Sequence, residues 1–427
     1  MRRLISTLIF TFLILWSYGQ ELSLDSCQSM ARKNHPLLRQ AGIIDQISEL
    51  RQQNIQATNL PQFDLTARAS WQSDVTKLAL KIPGFAGPEP LSKDQYKAYV
   101  DIRQKLFDGG VAKKREELEE ADRLVSKQQN ETELYKIKET VNALYFNALI
   151  IQENLRIVDL KKLTLDERIK IVGSAVSNGV TLPNDLDQLR AEKLMTEQQE
   201  TELKSARQTT LALLEIVSGT TISEQSIFSK PILIDIDVSN NPTRPEITLF
   251  TLQKSKLDKS EEVLKNSRKP YVFAFGQAGY GRPGLNMLDN NFADWYMVGA
   301  GLSWNIWDWH KTSRERSAIK LQKDVIDTNL DNFSRSLKMS LSQEANNSQK
   351  LQSLLNTDEQ LVVIKDQITK RSAVALENGT ITSADYIRDL NAALQARVNL
   401  ETRKVQIIQT SVNYQTIKGE STIKNLK

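Results

Sequence analysis

The sequence predicts a mostly helical chain written in two repeats, with four β-strands of the kind that line a membrane barrel. Three observations predict it. Landmarks recur at a fixed offset, four segments alternate with a period of two, and two long proline-free helical stretches each lead into a shorter helix.

The chain opens on Met1-Arg2-Arg3, runs apolar from Leu4 to Trp16 and reaches Ser17-Tyr18-Gly19. A basic start, a short apolar run and small residues at its end describe a secretory signal peptide over residues 1–19. The apolar run of 13 residues (4 to 16) falls short of the roughly 20 that a spanning helix needs. Cleavage after Gly19 leaves residues 20–427 as a single exported domain. Cys27 is the only cysteine, so no disulfide forms within the chain. It stands eight residues beyond Gly19, behind Asp25, and reads as a helix residue rather than a lipid-anchor site.

Pro36 and Pro61 lie 25 residues apart, as do Pro245 and Pro270 (61 minus 36; 270 minus 245). Proline suits a helix's first turn and disrupts its interior. Each pair therefore brackets one helix.

After each second proline the pattern changes. Phe63, Leu65, Ala67, Ala69 and Trp71 alternate with Asp64, Thr66, Arg68, Ser70 and Gln72. Ala98, Val100 and Ile102 alternate with Tyr99, Asp101 and Arg103, and the pattern continues through Lys105 and Leu106. Val298, Ala300, Leu302, Trp304 and Ile306 alternate with Met297, Gly299, Gly301, Ser303 and Asn305. The run from Tyr271 to Tyr280 alternates less cleanly, with apolar residues on both faces. Strands are expected over about 61–73, 97–108, 270–281 and 295–308. About ten residues is the length that crosses a bilayer as a tilted barrel strand. Asp64, Arg68, Asp101, Arg103, Lys105 and Asn305 then face a watery lumen, and the apolar face meets lipid. Trp71, Trp295, Trp304, Trp307 and Trp309 fall in or beside these segments, as expected at membrane interfaces. Alternation alone fits a soluble antiparallel sheet equally well; the signal peptide and the tryptophans favour the barrel. Four strands cannot close one, since single-chain barrels begin at eight, so copies must share it.

From Gly110 to about Val176 there is no proline, which predicts a helix of roughly 100 Å. A second runs from about Pro183 to Val217. The later half repeats the pair over about Lys311 to Glu377 and Ser383 to Ile417. Ile326, Leu330, Phe333, Leu337 and Leu341 recur at steps of three and four, as do Ile387, Leu390 and Leu394, which predicts helix-on-helix packing. The hairpins turn at Asn178-Gly179 and Asn378-Gly379, within tips at about 177–183 and 377–383, because glycine takes the left-handed conformation past a helix end. Thr181, and Thr382 or Ser383, are placed to cap the helices that follow.

The halves, about 20–219 and 244–419, are joined by a segment at about 220–243. Leu106-Phe107-Asp108 matches Ile306-Trp307-Asp308, Asp185 matches Asp385 and Gly219 matches Gly419, all at an offset of 200. The prolines keep an offset of 209 (245 minus 36), which predicts one loop nine residues shorter in the second half.

Several function classes are excluded. Net charge is only +4 on 56 basic and 52 acidic residues, too balanced for a nucleic-acid binder. His35 and His310 are the only histidines, and no phosphate loop or dinucleotide fingerprint is present. No catalytic residues, cofactor or metal site are expected, and the chain does not read as an enzyme. Mean hydropathy is −0.41, and no segment beyond the first is apolar enough to span a membrane as a helix.

Together these residues resemble the TolC-like outer-membrane efflux family. The match covers nearly the whole mature chain. It rests on Leu22-Ser23-Leu24-Asp25 leading into Asn34-His35-Pro36, on Arg244-Pro245-Glu246-Ile247, on Phe107-Asp108-Gly109-Gly110 and on the Asn-Gly tips. Each motif is weak alone; their order within a two-fold repeat is specific. The resemblance implies a homotrimer whose strands build one twelve-stranded barrel in the outer membrane of a Gram-negative bacterium. A long α-helical barrel would continue it into the periplasm. It implies docking of a periplasmic adaptor (membrane-fusion) protein at the tips, with an inner-membrane pump behind it, and passive conduction of an efflux or type I secretion substrate. Family members narrow the tip with acidic rings near the start of the last long helix. Asp385 matches the first such position, but Arg388 stands three residues on, so the gate is half carried over. Asp385 and Arg388 are also spaced for a local ion pair. Asp185 is the first-half equivalent of Asp385 and a candidate for contacts that hold the tip closed. The rival reading is a periplasmic coiled-coil scaffold or adaptor without a membrane barrel.

Overall fold

A computed structural model describes residues 21–76, 90–236 and 241–420. The expected signal peptide lies outside them. Along the chain run β1 (Glu21–Leu22), α1 (Leu24–Asn34), α2 (Leu37–Ala57), β2 (Gln62–Trp71), β3 (Asp94–Phe107), α3 (Val111–Ser177) and α4 (Pro183–Ser218). The second half continues with β4 (Ile227–Phe228), α5 (Pro245–Asn266), β5 (Tyr271–Arg282), β6 (Ala293–Ser303), α6 (Lys311–Glu377) and α7 (Ser383–Lys418). Helices α3 and α6 both have 67 residues, and α4 and α7 both have 36. The shift between the repeats falls in the strand connections, residues 72–93 in the first half and 283–292 in the second. The chain divides into two compact units, one of residues 41–128 and 248–330 and one of the remaining described residues.

In the strand-bearing unit the sheet order is β2-β3-β5-β6, antiparallel throughout. Gln62 pairs with Arg103 and Trp71 with Asp94, so β3 begins at Asp94, three residues before the expected start. β6 ends at Ser303, not at residue 308 as the alternation suggested, and Asn305 lies beyond it. The reason is the partner: Ser303 pairs with Tyr271, the first residue of β5, so nothing remains for the ladder to extend along. The Trp304 indole N–H donates instead to Arg268 O at 3.1 Å, and the Arg268 guanidinium donates to Ile306 O at 3.2 Å.

Ion pairs tie the helices of this unit together. Asp45 of α2 receives Arg123 at 2.6 Å and Lys127 at 2.9 Å, both from α3. Lys259 of α5 meets Glu117 of α3 at 2.8 Å, and Lys114 of α3 meets Glu262 of α5 at 2.7 Å. This exposed network holds the Glu117 carboxyl down at about 2, chiefly through hydrogen bonds from Lys259 and Lys114.

The second unit holds the apolar core. Ser23 caps α1, accepting from the Ser26 N–H at 3.2 Å. α1 then seats Leu24, Cys27 and Ala31 against Val141, Tyr145, Phe146 and Leu149 of α3, Leu214 of α4 and Val405 and Val412 of α7. Burying each large side chain contributes about 1.5–3 kcal/mol, more than helix propensity supplies to so polar a sequence. Cys27 is fully buried, and burial pushes its thiol up to about 11, so it acts as a small core residue. The Tyr145 hydroxyl donates between Ser229 O at 2.6 Å and Leu22 O at 2.8 Å, tying the two-stranded β1–β4 sheet to α3. A second core joins Ile157, Leu165 and Val172 of α3, Leu189 of α4, Leu376 of α6 and Tyr386, Leu390 and Leu394 of α7.

Candidate functional site

The sheet sorts its faces by residue. Along one face, Asp64 stands opposite Asp101 and Asp101 opposite Gln277; Arg68 stands opposite Lys97; Lys105 stands opposite Phe273. Asp101 is only 6% exposed. It is neutralised by Arg103 at 2.7 Å and accepts from Gln277 Nε2 at 2.8 Å. A recess of about 550 Å³ opens on this face, with Gln62, Asp64, Arg103, Lys105 and Phe273 meeting Asn54 and Thr58 of α2. The opposite face presents Phe63, Leu65, Tyr296, Val298 and Leu302 to the surroundings. Among the described residues, the outer strands β2 and β6 each have one edge with no partner strand.

Sequence reasoning placed Asp64, Arg68, Asp101, Arg103 and Lys105 on one face, and the register puts them there together. It missed Lys97 and Gln277 on the same face. Alternation through Ala98 and Val100 already pointed to Lys97; β5 gave no such signal. There Phe273 and Phe275 sit on the polar face because Gly301 and Gly299 stand opposite them. A Cβ at Gly301 would come within 2.5 Å of the Phe273 ring, and one at Gly299 within 2.6 Å of the Phe275 ring. The rings cover bare backbone, an aromatic-over-glycine pairing that spares the edge strand.

The strand-to-helix turns differ between repeats. Asp108 accepts from Gly110 N–H at 2.8 Å and Ala112 N–H at 2.6 Å, starting α3. Asp308 does the same for Thr312 N–H at 3.0 Å, starting α6. Gly109 and Gly110 take φ of 71° and 81° in the first turn. At the same places in the second repeat, Trp309 and His310 take φ of 54° and 61°, a strained conformation for side-chain-bearing residues. Trp307 packs edge-on against Trp309 at 5.9 Å and His310 at 5.5 Å. His35, the other histidine, ends α1, and its Nδ1 accepts from Leu37 N–H at 3.2 Å.

In the other unit, the hairpin tips turn alike. Gly179 and Gly379 take φ of 70° and 67° beside Asn178 and Asn378. Val180 N–H donates to Ala175 O and Thr380 N–H to Ala375 O, both at 2.9 Å. The helices that follow start differently. Thr382 caps α7 and exchanges hydrogen bonds with Asp385, a capping box. Thr181 does not cap α4: Pro183 occupies the first helical turn, so the cap position falls to Leu182, which has no capping side chain.

Asp385 is committed twice, to Thr382 Oγ1 at 2.8 Å and to Arg388 at 3.1 Å. The Thr382 hydrogen bonds, aided by Arg388, hold its carboxyl below the ordinary value. Asp185 reaches across to the other hairpin and accepts from the Ser383 N–H at 2.8 Å. Glu192 of α4 receives Lys161 of α3 at 2.6 Å and Asn391 of α7 at 3.0 Å. Arg168 of α3 pairs with Glu377 of α6, and its guanidinium lies 5.7 Å from the ring centre of buried Tyr386. Sequence reasoning singled out Asp185 but missed Arg168, Glu192 and Tyr386, which only the packing of four helices brings together.

Among the described residues no helix is long and apolar enough to cross a membrane, and no cluster of three or more His, Cys, Asp or Glu is arranged for a metal ion. No curated protein matches the sequence. Residues 28–220 match the family described as outer membrane efflux protein. Among solved structures, the Campylobacter jejuni CmeC outer membrane channel matches at 18% identity and a TM-score of 0.66, covering 94% of this chain and 88% of that one. The outer membrane protein VceC of Vibrio cholerae matches at 13% identity and 0.68, covering 94% and 97%. The open state of the Neisseria gonorrhoeae MtrE outer membrane channel matches at 13% and 0.65, covering 95% and 90%. At such identities the likeness is one of fold. The family match covers the first repeat, and the likeness of fold to solved outer membrane channels runs across both.

Proposed function

We propose that the chain is one of three subunits of an outer-membrane channel, which passively conducts substrate outward from a periplasmic adaptor and an inner-membrane pump. One observation carries this reading: a four-stranded sheet with an apolar face, a charged face and, among the described residues, two unpaired outer edges. An open edge ten residues long invites another strand. Three copies joined β6 to β2 give twelve strands, enough to close a barrel with the charged face inward. Apolar side chains left exposed on the long helices support the same association, among them Leu194, Met195 and Ile216 of α4 and Val325, Met339 and Val363 of α6. The helical hairpins would continue the barrel's wall into the periplasm, and the tips at Asn178-Gly179 and Asn378-Gly379 would receive the adaptor. Val180 and Leu182, 73% and 69% exposed, offer it an apolar contact. Asp185, Asp385 and Arg388 would govern closure of the tip.

The test is fractionation of membranes, extraction in detergent and measurement of particle mass. An outer-membrane trimer is expected. A soluble periplasmic monomer would overturn the reading and favour a coiled-coil scaffold.

A further inference from the structure

On the charged face of the sheet, Arg68 of β2 stands directly opposite Lys97 of β3. Like charges directly opposite one another destabilise a sheet. Arg103, two strand positions from Asp101 on the same face, is paired with that acid. Neither Arg68 nor Lys97 has an acidic partner among the described residues. Asp64, the nearest acid along β2 on this face, is four residues from Arg68, about 13 Å along the strand. The rest of the row is empty of bulk, for Lys97 stands opposite Gly281 and Gly281 opposite Ala293. A Cβ at position 281 would lie 3.0 Å from Lys97 Cγ, so the glycine lets the lysine stem lie against the sheet. Two uncompensated cations one strand apart, beside a row of small residues, make a place for an anion.

We propose that Arg68 and Lys97 form an anion subsite on the barrel wall, selecting solutes that carry phosphate, sulfate or carboxylate groups. The guanidinium offers a planar fork for two oxygens and the ammonium a mobile point charge, a pairing suited to oxyanions. The remaining charges reinforce it. Over the described strands this face carries Arg68, Lys97, Arg103 and Lys105 against Asp64 and Asp101, a balance of +2 (4 minus 2) per chain. A narrow passage of one sign concentrates counter-ions. The proposal rests on the charged face being the lumen of the channel proposed above.

The experiment uses the full-length protein, wild type and R68Q/K97Q, reconstituted in planar bilayers and also held in detergent. Reversal potential is read in a KCl gradient, and inorganic triphosphate is then added at constant ionic strength. Wild type should prefer chloride over potassium and be blocked by triphosphate. The double variant should need about tenfold more triphosphate for the same block and should lose most of the chloride preference. In detergent, triphosphate should raise the melting midpoint of wild type by about 2 °C or more and leave the variant unmoved. The variant should fold at least as well, because the like-charge pair is gone. Equal block and equal thermal shifts in both proteins would overturn the subsite. Thermal stabilisation without block would overturn its place in the conduction path. Absence of any conductance would count against the channel, and the thermal shift would still decide whether the pair binds an anion.

Discussion

The carboxylate of Asp185, in the first turn of α4, accepts a hydrogen bond from the backbone N–H of Ser383, the first residue of α7, at 2.8 Å. One hairpin thereby satisfies a donor that the other hairpin's helix leaves unpaired. Ser383 is fully buried, so the N–H has no water to turn to. Asp185→Ala is expected to cost about 1–3 kcal/mol locally, the penalty of a buried unsatisfied donor. Hydrogen exchange at Ser383 should speed up, while exchange in the strands stays as it was. Asp185→Asn keeps an acceptor and should cost less. Equal protection of Ser383 in wild type and the alanine variant would remove this contact from any account of tip closure.

Asp385→Ala removes both the capping box of α7 and the pair with Arg388. If Asp385 helps to close the tip, conductance in bilayers or cellular sensitivity to antibiotics should rise. Unchanged conductance would sink that role and leave Asp385 as a helix cap. Arg388→Ala separates the two, since it spares the capping box.

Tyr386 is 1% exposed and fills the core where α3, α6 and α7 meet. Tyr386→Ala should destabilise this region by about 3–5 kcal/mol. Limited proteolysis should then cut near residues 178–182 and 378–382. Tyr386→Phe should cost less, about 1–3 kcal/mol, because it keeps the buried ring beside Arg168 and loses only the hydroxyl's hydrogen bond with that guanidinium.

Glu117 gives a pH signature. Its folded value of about 2 lies below its ordinary 4.5. Its contribution is therefore present above about pH 4.5 and is lost as pH falls toward 2. Hydrogen exchange in α5 should be constant from pH 7 to 5, after correction for intrinsic rates, and should accelerate below. Glu117→Gln should flatten that response.

His310→Gly relieves a left-handed conformation that costs about 1–2 kcal/mol. The variant should melt at the same temperature or higher. Gly301→Ala should do the reverse by about 1–3 kcal/mol, since its Cβ meets the Phe273 ring. Heat stability of the assembled protein on a gel reads both.

Much of this was legible in the residues, for physical reasons that differ by element. Glycine at positive φ and proline in first turns fix where the helices begin and end, and both are visible by identity alone: Gly179, Gly379, Pro183, Pro245. Alternation exposed β2 and β3 because their faces differ in polarity. It weakened at β5, where Phe273 and Phe275 spend apolar rings on the charged face to cover glycines two strands' width of sequence away. It overran β6 at Trp304 to Asn305, because a pattern cannot report that the neighbouring strand has run out. The Arg68–Lys97 opposition depends on register, and the Arg168–Glu377–Tyr386 cluster on the meeting of three helices. Neither is a property of any one segment.

The equal helices of the two repeats, 67 with 67 residues and 36 with 36, constrain how such a protein can change length. An insertion in α3 alone would add about 1.5 Å per residue to one hairpin and nothing to its counterpart. The glycine turns would fall out of step, and Asp185 would no longer reach Ser383. A viable extension must enter all four arms at once, in steps that return each apolar stripe to the same side. Reach toward a partner is in that sense quantised, and the two halves must lengthen together or not at all.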